Sequence, residues 1–283
     1  MKYRHIVPIC LFILGYNISG SAQSPKLKIN LITRDSDKPI GKINAICQDP
    51  AGFMWFCGQG EKCLFRYDGS QLVSYKHDLS DTNSLGGTNL ETIYADDVGK
   101  IWIAHNNGVD EYNPSTNIFK HHRHDPNVPG SLCSNEVLTL LKDRKGRLWI
   151  GTKNGLDCFD EQTQQFIHYK KSPGNINSLS CNYISKIYED RQGIIWVGTG
   201  APWDGLDDEE GGLNRLEQNG SFTQFKHDSK IIHSLTTNKV RAIFEDSRGV
   251  FWVGTSGDGL HTMDRKTGLF ERLSFNPKRV QTI

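Results

Sequence analysis

The chain alternates short apolar segments with polar turns, and its middle part shows this pattern most clearly. Val137–Lys142 is largely apolar, a polar turn follows, and Leu148–Thr152 is apolar again. A third segment runs through Gly155–Asp160, and after another polar turn Phe166–Tyr169 forms a fourth. Short segments separated by turns that contain Asp and Gly predict four antiparallel strands joined by hairpins.

This four-strand pattern repeats along the chain. Five tryptophans recur at intervals of 47, 47, 47 and 56 residues, each in the frame D-x-x-G-x-x-W. We expect the Asp to accept backbone N–H bonds at the turn entry and the Gly to supply a positive φ at its exit. Because the frame recurs five times, the tryptophans are predicted to pack between repeats, and a ligand site built from them is the weaker interpretation. The residues of the frame are Trp55, Trp102, Trp149, Trp196 and Trp252, with Asp49, Asp96, Asp143, Asp190 and Asp246, and with Gly52, Gly99, Gly146, Gly193 and Gly249.

A tandem four-stranded unit of about 40–50 residues is typical of a propeller blade, since such a sheet buries both faces only against neighbouring sheets. The predicted fold class is all-β: a β-propeller of four-stranded antiparallel blades. Leu27–Ile32 has the pattern of an additional leading strand, so we expect the five blades to be an incomplete, open part of a larger propeller. The predicted blades lie at about residues 41–78, 88–125, 135–172, 182–228 and 238–276.

The N-terminal residues differ from the repeats. A positively charged start precedes an apolar run at Ile6–Tyr16, and Gly20–Ala22 supplies small residues at a cleavage position. This order is typical of a secretory signal peptide, and the run is too short for a membrane anchor. We therefore expect a signal peptide at residues 1–22 and a propeller segment at 23–283. The mature chain is expected to be periplasmic, or else extracellular, with no membrane span.

Composition narrows the function classes. The 283 residues include 33 Lys and Arg against 32 Asp and Glu, so no basic surplus points to nucleic acid. Six cysteines follow the leader, and they lack the paired C-x-x-C spacing of zinc sites. Cys47 occupies a repeat position that other units fill with apolar side chains, so we expect it to be buried. A disulfide between Cys57 and Cys63 is the minor alternative to free thiols. No metal site and no cofactor are predicted.

The repeat resembles a known family. The repeat begins with Val or Ile and continues with an acidic residue and Asp, a Gly turn, Leu-Trp-Ile-Gly-Thr and Gly-Leu. This order of residues is similar to the two-component regulator propeller repeat. Residues 137–156 carry this pattern almost completely, and Trp-Val-Gly-Thr recurs at 196–199 and 252–255. The first two units depart from the Gly-Thr step, at Phe56–Gly58 and Ile103–His105.

The resemblance extends over residues 27–275 and implies a function. Repeats of this family usually form the periplasmic sensor of hybrid two-component system histidine kinases of the Bacteroidetes type, which perceive glycan fragments. The implied partners are an oligosaccharide or other small ligand, and further propeller blades, a second chain or a kinase region. No phospho-acceptor or ATP-binding segment is recognisable, so any kinase activity would belong to sequence outside this chain.

Candidate ligand-binding residues lie in loops at one end of the predicted blades, where a rigid scaffold presents them. The 56-residue interval reflects an insertion in the fourth unit that contains a tryptophan and an acidic run. An indole can stack on a sugar, and carboxylates can bind hydroxyls or a cation. A solvated acidic loop, and a turn or capping role for the recurring His-Asp pairs, are the plainer alternatives. The candidates are Trp203, Asp204, Asp207, Asp208, His105, His124 and His227.

Three functions are consistent with these patterns. The preferred hypothesis is a ligand-sensing propeller segment in two-component signal transduction, with no catalytic activity of its own. A protein-interaction scaffold is the alternative. A propeller lyase or hydrolase is less favoured, because the acidic insertion offers no convincing acid–base pair. Metal binding by His121, His122 and His124 is the weakest hypothesis, since their spacing alone does not converge the rings.

Overall fold

The computed structural model describes residues 33–34, 38–39, 41–58, 62–201, 210–257 and 259–273. All regular structure in these ranges is β. Two short strands, β1 (Thr33–Arg34) and β2 (Lys38–Pro39), pair with each other ahead of the larger sheets. The predicted leading strand at residues 27–32 lies outside the described residues. No helix in the described ranges is long and apolar enough to cross a membrane.

Five four-stranded antiparallel sheets follow, here called blades 1 to 5. Blade 1 contains β3 (Ile43–Gln48), β4 (Met54–Gly58), β5 (Cys63–Tyr67) and β6 (Leu72–Lys76). Blade 2 contains β7 (Leu90–Ala95), β8 (Ile101–His105), β9 (Gly108–Asn113) and β10 (Ile118–His122). Blade 3 contains β11 (Val137–Lys142), β12 (Leu148–Thr152), β13 (Gly155–Asp160) and β14 (Gln165–Tyr169). Blade 4 contains β15 (Ile184–Glu189), β16 (Ile195–Thr199), β17 (Gly212–Leu216) and β18 (Phe222–Phe225). Blade 5 contains β19 (Val240–Glu245), β20 (Phe251–Thr255), β21 (Gly259–Asp264) and β22 (Leu269–Arg272).

The predicted fold class is confirmed: the strands follow chain order within each sheet, and each strand is antiparallel to the next. In blade 3, for example, Leu141 is paired with Trp149 on the second strand, and Trp149 is paired with Cys158 on the third. The first strand of every blade carries a β-bulge near its start, between Val137 and Thr139 in blade 3. The bulge recurs in all five blades, where it increases the local twist of the innermost strand pair.

Consecutive blades pack face to face. The first strands β3, β7, β11, β15 and β19 lie next to one another from blade to blade, which places them at the inner side. Apolar side chains fill each gap: Trp149 of blade 3, for example, packs with Ile187 and Val197 of blade 4. Burial of both faces by neighbours explains why the strands alternate little in polarity.

The face of blade 5 that carries its repeat tryptophan is not covered by another sheet of the described residues. The first four repeat tryptophans are at most 3% exposed, whereas Trp252 is only partly buried. On the same face Phe244 is 57% exposed and Leu260 is 41% exposed. In blade 4 the equivalent Tyr188 is covered by Phe251 of the next blade, with ring centroids 6.2 Å apart. The predicted open arrangement is therefore what the described residues form.

Each blade has the same turn between its first two strands. Asp143 Oδ1 accepts the backbone N–H groups of Lys145 at 3.0 Å and Arg147 at 2.9 Å. The other oxygen, Oδ2, accepts the indole N–H of Trp149 at 2.9 Å. Gly146 has φ of +81° at the turn exit, a conformation that favours glycine. The bond to the indole, which was not predicted, satisfies a donor that would otherwise be buried without a partner.

Two glycines mark the closest approach between blades. A Cβ added at Gly151 would lie 2.5 Å from Thr139 Cγ2 and 2.6 Å from Ile184 Cγ2, a side chain of the next blade. At Gly198 it would lie 2.8 Å from Val240 Cγ1. The glycine of the Trp-x-Gly-Thr step therefore makes room for the first strand of the following blade.

Candidate functional site

The two ends of the blades differ in their connections. Because consecutive strands are antiparallel, the first-to-second and third-to-fourth turns lie together at one end. The opposite end, here called the link face, carries the second-to-third turns and the links between blades. The links comprise residues 77–89, 123–136, 170–183 and 226–239. Long polar loops on a rigid sheet scaffold make the link face the candidate binding surface.

A Ser-Leu pair organises each link. Ser131 Oγ accepts the backbone N–H of Asp125 at 2.9 Å and donates to the carbonyl of the same residue at 2.8 Å. Leu132, which follows it, is buried between the blades. Asn135, three positions later, accepts the backbone N–H of His124 at 2.7 Å. This Ser-Leu-x-x-Asn motif, which the sequence analysis did not include, recurs in the last three links, whereas the first link has Thr88 in the place of the Asn. The serines of the four links are Ser84, Ser131, Ser178 and Ser234.

One histidine near the start of three of the links contacts a backbone carbonyl oxygen through its ring Nδ1. His124 Nδ1 lies 2.6 Å from the carbonyl oxygen of Leu132, and His227 Nδ1 lies 2.6 Å from that of Leu235. His77 makes the same contact to Leu85 at 2.5 Å. The plainer interpretation of the recurring His-Asp pairs, a turn role, therefore has a geometric basis. His124 and His227 are nevertheless exposed on the link face.

His105, the third histidine candidate, is fully buried. Its Nε2 lies 3.1 Å from Asp110 Oδ1, and its Nδ1 accepts the backbone N–H of Asn107 at 3.1 Å. It occupies the position of Thr152 in blade 3, whose hydroxyl donates to the Gly155 carbonyl at 2.9 Å. A group enclosed in this way supports the second-to-third turn and does not reach solvent.

Asp110 is the centre of a buried polar cluster in blade 2. His121 Nδ1 lies 2.7 Å from Asp110 Oδ1, and His121 Nε2 lies 3.0 Å from the carbonyl oxygen of Thr82 in the preceding link. Burial opposes ionisation of Asp110, but hydrogen bonds from His105 and His121 outweigh it and lower the pKa to about 2. The hydrogen bond to Asp110 in turn raises the pKa of His121.

Blade 3 has the same arrangement with a thiol added. His168 Nδ1 lies 2.7 Å from Asp157 Oδ1, and His168 Nε2 lies 2.7 Å from the carbonyl oxygen of Pro129. Asp157 Oδ2 accepts the backbone N–H of Cys133 at 2.8 Å. The thiol Sγ of Cys133 lies 3.3 Å from His168 Nδ1. In blade 4 the equivalent residues are neutral: Asn214 accepts the backbone N–H of Ser180 at 2.9 Å.

A cleft of about 600 Å³ opens on the link face between blades 3 and 4. Its lining includes Lys153, Lys171, Asn182, Tyr183 and Glu210. Lys171 Nζ lies 2.5 Å from Glu210 Oε1. The volume is in the range of small-molecule sites, and the lining combines one aromatic ring with amide, amine and carboxylate groups. Such a lining can bind a ligand rich in hydroxyl groups.

The insertion candidates Trp203, Asp204, Asp207 and Asp208 lie outside the described residues. Ala201 and Glu210, the described residues on either side of that segment in the sequence, both line the cleft. The cleft itself was not predicted, because its walls come from three separate segments of the chain.

The described residues contain no disulfide, so the alternative of a bond between Cys57 and Cys63 is not formed. Burial raises the pKa of the Cys57 thiol to about 12 and that of Cys47 to about 11. Cys47 is partly buried against the core between blades 1 and 2. Thiols with raised pKa values are poor nucleophiles, so these residues act as small apolar side chains.

Comparison with known proteins identifies the repeat. A family profile described as "Two component regulator propeller" matches residues 131–154, 178–201 and 234–257. These ranges contain the last three tryptophan frames, and each range includes the first two strands of its blade. No curated protein matches the chain.

Solved structures give the same picture. The chain is similar to the extracellular domain of a protein described as a hybrid two-component system from Bacteroides thetaiotaomicron, with 30% identity and a TM-score of 0.67. The match covers 81% of this chain and 29% of that extracellular domain. A second extracellular domain from that organism, of a protein described as a one-component system, has 22% identity and a TM-score of 0.62, over 83% of this chain and 31% of that one. This chain therefore spans less than a third of either extracellular domain.

A more distant neighbour is an enzyme. Virginiamycin B lyase from Staphylococcus aureus has 12% identity and a TM-score of 0.56, over 83% of this chain and 71% of the lyase. Identity at this level shows the propeller fold alone.

Proposed function

Since the chain carries two-component regulator propeller repeats and is related to extracellular domains of two-component systems, we propose that it is an exported ligand-sensing segment of a signalling protein. The observation that carries this proposal is the 30% identity to such a domain over 81% of the chain. Signalling output, including any histidine kinase activity, belongs to parts of the signalling protein outside this chain.

The cleft between blades 3 and 4 is the proposed ligand site, and an oligosaccharide is the proposed ligand class. Its amine, amide and carboxylate groups suit a polyhydroxylated molecule, and Tyr183 offers a ring for contact with a sugar face. The insertion that carries Trp203, Asp204, Asp207 and Asp208 joins two cleft residues, so these candidates are proposed as additional contacts.

A role without catalysis is proposed together with sensing. Among the described residues that line the cleft, Glu210 is the carboxylate, and it is paired with Lys171. These described lining residues include no histidine and no second carboxylate that would complete an acid–base pair. This supports binding over bond cleavage.

The test is calorimetry of the protein against a panel of oligosaccharides, with the reaction mixtures analysed for cleavage products. We expect at least one member to bind without being cleaved, and Lys171→Ala to weaken its binding by about tenfold or more. Lys145→Ala is the matched control, since Lys145 is an exposed lysine of blade 3 at the opposite end. Absence of binding across the panel would favour the scaffold alternative, and cleavage products would favour an enzyme.

A further inference from the structure

The cluster of Cys133, Asp157 and His168 joins the link before blade 3 to the two outer strands of that blade. One atom from each residue, the sulfur, a carboxylate oxygen and a ring nitrogen, lies within 4.8 Å of the other two. We propose that this cluster is a binding site for a divalent transition metal of the zinc type, with Cys133 Sγ, Asp157 Oδ1 and His168 Nδ1 as ligands.

Two of the separations between the three ligand atoms can be compared with those around such an ion. In a tetrahedral zinc site, bonds of about 2.3 Å to sulfur and about 2.0 Å to nitrogen separate these ligands by roughly 3.5 Å. The observed distance between Cys133 Sγ and His168 Nδ1 is 3.3 Å. His168 Nδ1 and Asp157 Oδ1 lie 2.7 Å apart, so the carboxylate moves by roughly half an ångström when the ion replaces their hydrogen bond.

Two of the three ligands, His168 and Asp157, have their second polar atom held by the backbone. His168 Nε2 lies 2.7 Å from the Pro129 carbonyl oxygen, so the ring keeps its Nε2 proton when an ion displaces the proton that Nδ1 shares with Asp157. Asp157 Oδ2 accepts the Cys133 backbone N–H at 2.8 Å, which leaves Oδ1 available. Outer contacts of this kind orient the ligands of protein metal sites and raise their affinity.

The electrostatics of the site also suit a dication. Cys133 is 3% exposed and Asp157 is fully buried. Burial, together with the Asp157 charge, raises the pKa of the Cys133 thiol, while the nearby Lys170 opposes this rise. A thiolate and a carboxylate neutralise a dication, so the loaded site carries no net charge into the interior. Binding displaces the thiol proton and the Nδ1 proton into solvent.

Two other blades provide internal comparisons. Blade 2 has the Asp110–His121 pair with Gly86 in the place of Cys133, and a Cβ at Gly86 would lie 2.6 Å from Asp110 Oδ1. Blade 4 has Ser180, Asn214 and Gln224 at the three positions, where Ser180 and Asn214 bond each other and Gln224 bonds the link at the Ser178 carbonyl. Blade 2 therefore forms without a thiol in this cluster, and blade 4 forms without any of the three ligand residue types.

The experiment is titration of the untagged protein with Zn²⁺ in competition with a chromophoric chelator, and with Co²⁺ under an absorption spectrometer. We expect one Zn²⁺ per chain, and a thiolate-to-cobalt charge-transfer band in the near ultraviolet. Cys133→Ser should remove the band and weaken binding by about a hundredfold, and His168→Gln should weaken binding to a similar extent. Both substitutions introduce residues that blade 4 carries, so both variants are expected to fold.

The matched control is His121→Gln, which makes the same change in blade 2 and should leave Zn²⁺ affinity unaltered. Circular dichroism of each variant shows whether it has folded, and any unfolded variant is replaced by Asp157→Asn, which introduces the third blade 4 residue. The proposal is overturned if Zn²⁺ does not bind, or if binding persists undiminished in folded variants of the three ligands. A cobalt complex without the charge-transfer band would also overturn it.

Discussion

The indole N–H of Trp196 donates to Asp190 Oδ2 at 2.9 Å, and both residues are fully buried. Arg265 of blade 5 reaches the same carboxylate oxygen at 2.9 Å and also bonds Glu245 at 2.8 Å. One aspartate thus closes its own turn, satisfies the tryptophan of its blade and joins blade 4 to blade 5. The D-x-x-G-x-x-W frame is therefore a unit of inter-blade stability as well as a turn.

Asp190→Ala should lower the free energy of unfolding by about 3 kcal/mol, because it leaves the indole donor buried without its acceptor and removes one of the two carboxylates that Arg265 bonds. Urea denaturation followed by tryptophan fluorescence measures this loss. The control is Asp246→Ala, at the equivalent turn of blade 5, where Trp252 is partly exposed and water can replace the carboxylate. We expect a smaller loss there, and equal losses would show that the burial of the bond does not matter.

Gly198→Ala should also destabilise the protein, by about 1–3 kcal/mol, because the new methyl group would overlap Val240 of the next blade, the nearest side chain to it. Gly254→Ala is the matched change in blade 5, where the nearest atom to the added Cβ is Ala242 Cβ at 3.2 Å. Thermal unfolding of both variants gives the comparison. A similar shift in melting temperature for the two would mean that contact between blades is not what selects glycine at this step.

The strands were predictable because their signal is local. In blade 3 the alternation of apolar runs and turns predicted β11, β12 and β13 to the residue, and β14 to within one residue at its start. The exposure of Trp252 could not be predicted from its frame, which is identical to the other four. Its environment depends on whether another blade covers that face, and this is a property of tertiary packing.

The candidate sites were less predictable because their residues come from separate segments of the chain that meet only in the folded protein. Asp157 and His168 meet through the register of β13 and β14, and Cys133 joins them only when the link folds back over the blade. Their separations of 11 and 24 residues do not match a known ligand spacing, so the sequence indicated no metal site. The same reasoning explains why His105 was proposed as a ligand contact although it is buried. The sequence does not show that the folded blade encloses this side chain and places it against Asp110.

The His121–Asp110 contact should make stability depend on pH. Both ring nitrogens of His121 face acceptors, Asp110 Oδ1 and the Thr82 carbonyl oxygen, so the protonated ring satisfies both. The pKa of His121 is raised in the folded state, mainly by the hydrogen bond to Asp110, which outweighs the opposing effect of burial. Its contribution is therefore complete below the unfolded pKa of about 6.5 and is lost as the pH rises through the folded pKa.

Urea denaturation of wild type and His121→Gln at about pH 5.5 and about pH 9, in the presence of a metal chelator, tests this dependence. The stability difference between the two proteins should be larger at the acid pH. Asp110 does not contribute to the change, because its pKa of about 2 keeps it ionised throughout this window. A difference that is constant or grows with pH would contradict protonation of the folded-state ring.

Hydrogen–deuterium exchange, with and without the tightest-binding oligosaccharide of the panel, tests the location of the proposed ligand site most directly. We predict slower exchange in the link at residues 170–183 and around Glu210, with no change in the turns at 143–147 and 190–194 at the opposite end. Protection confined to those turns, or spread evenly over the blades, would contradict a ligand site between blades 3 and 4.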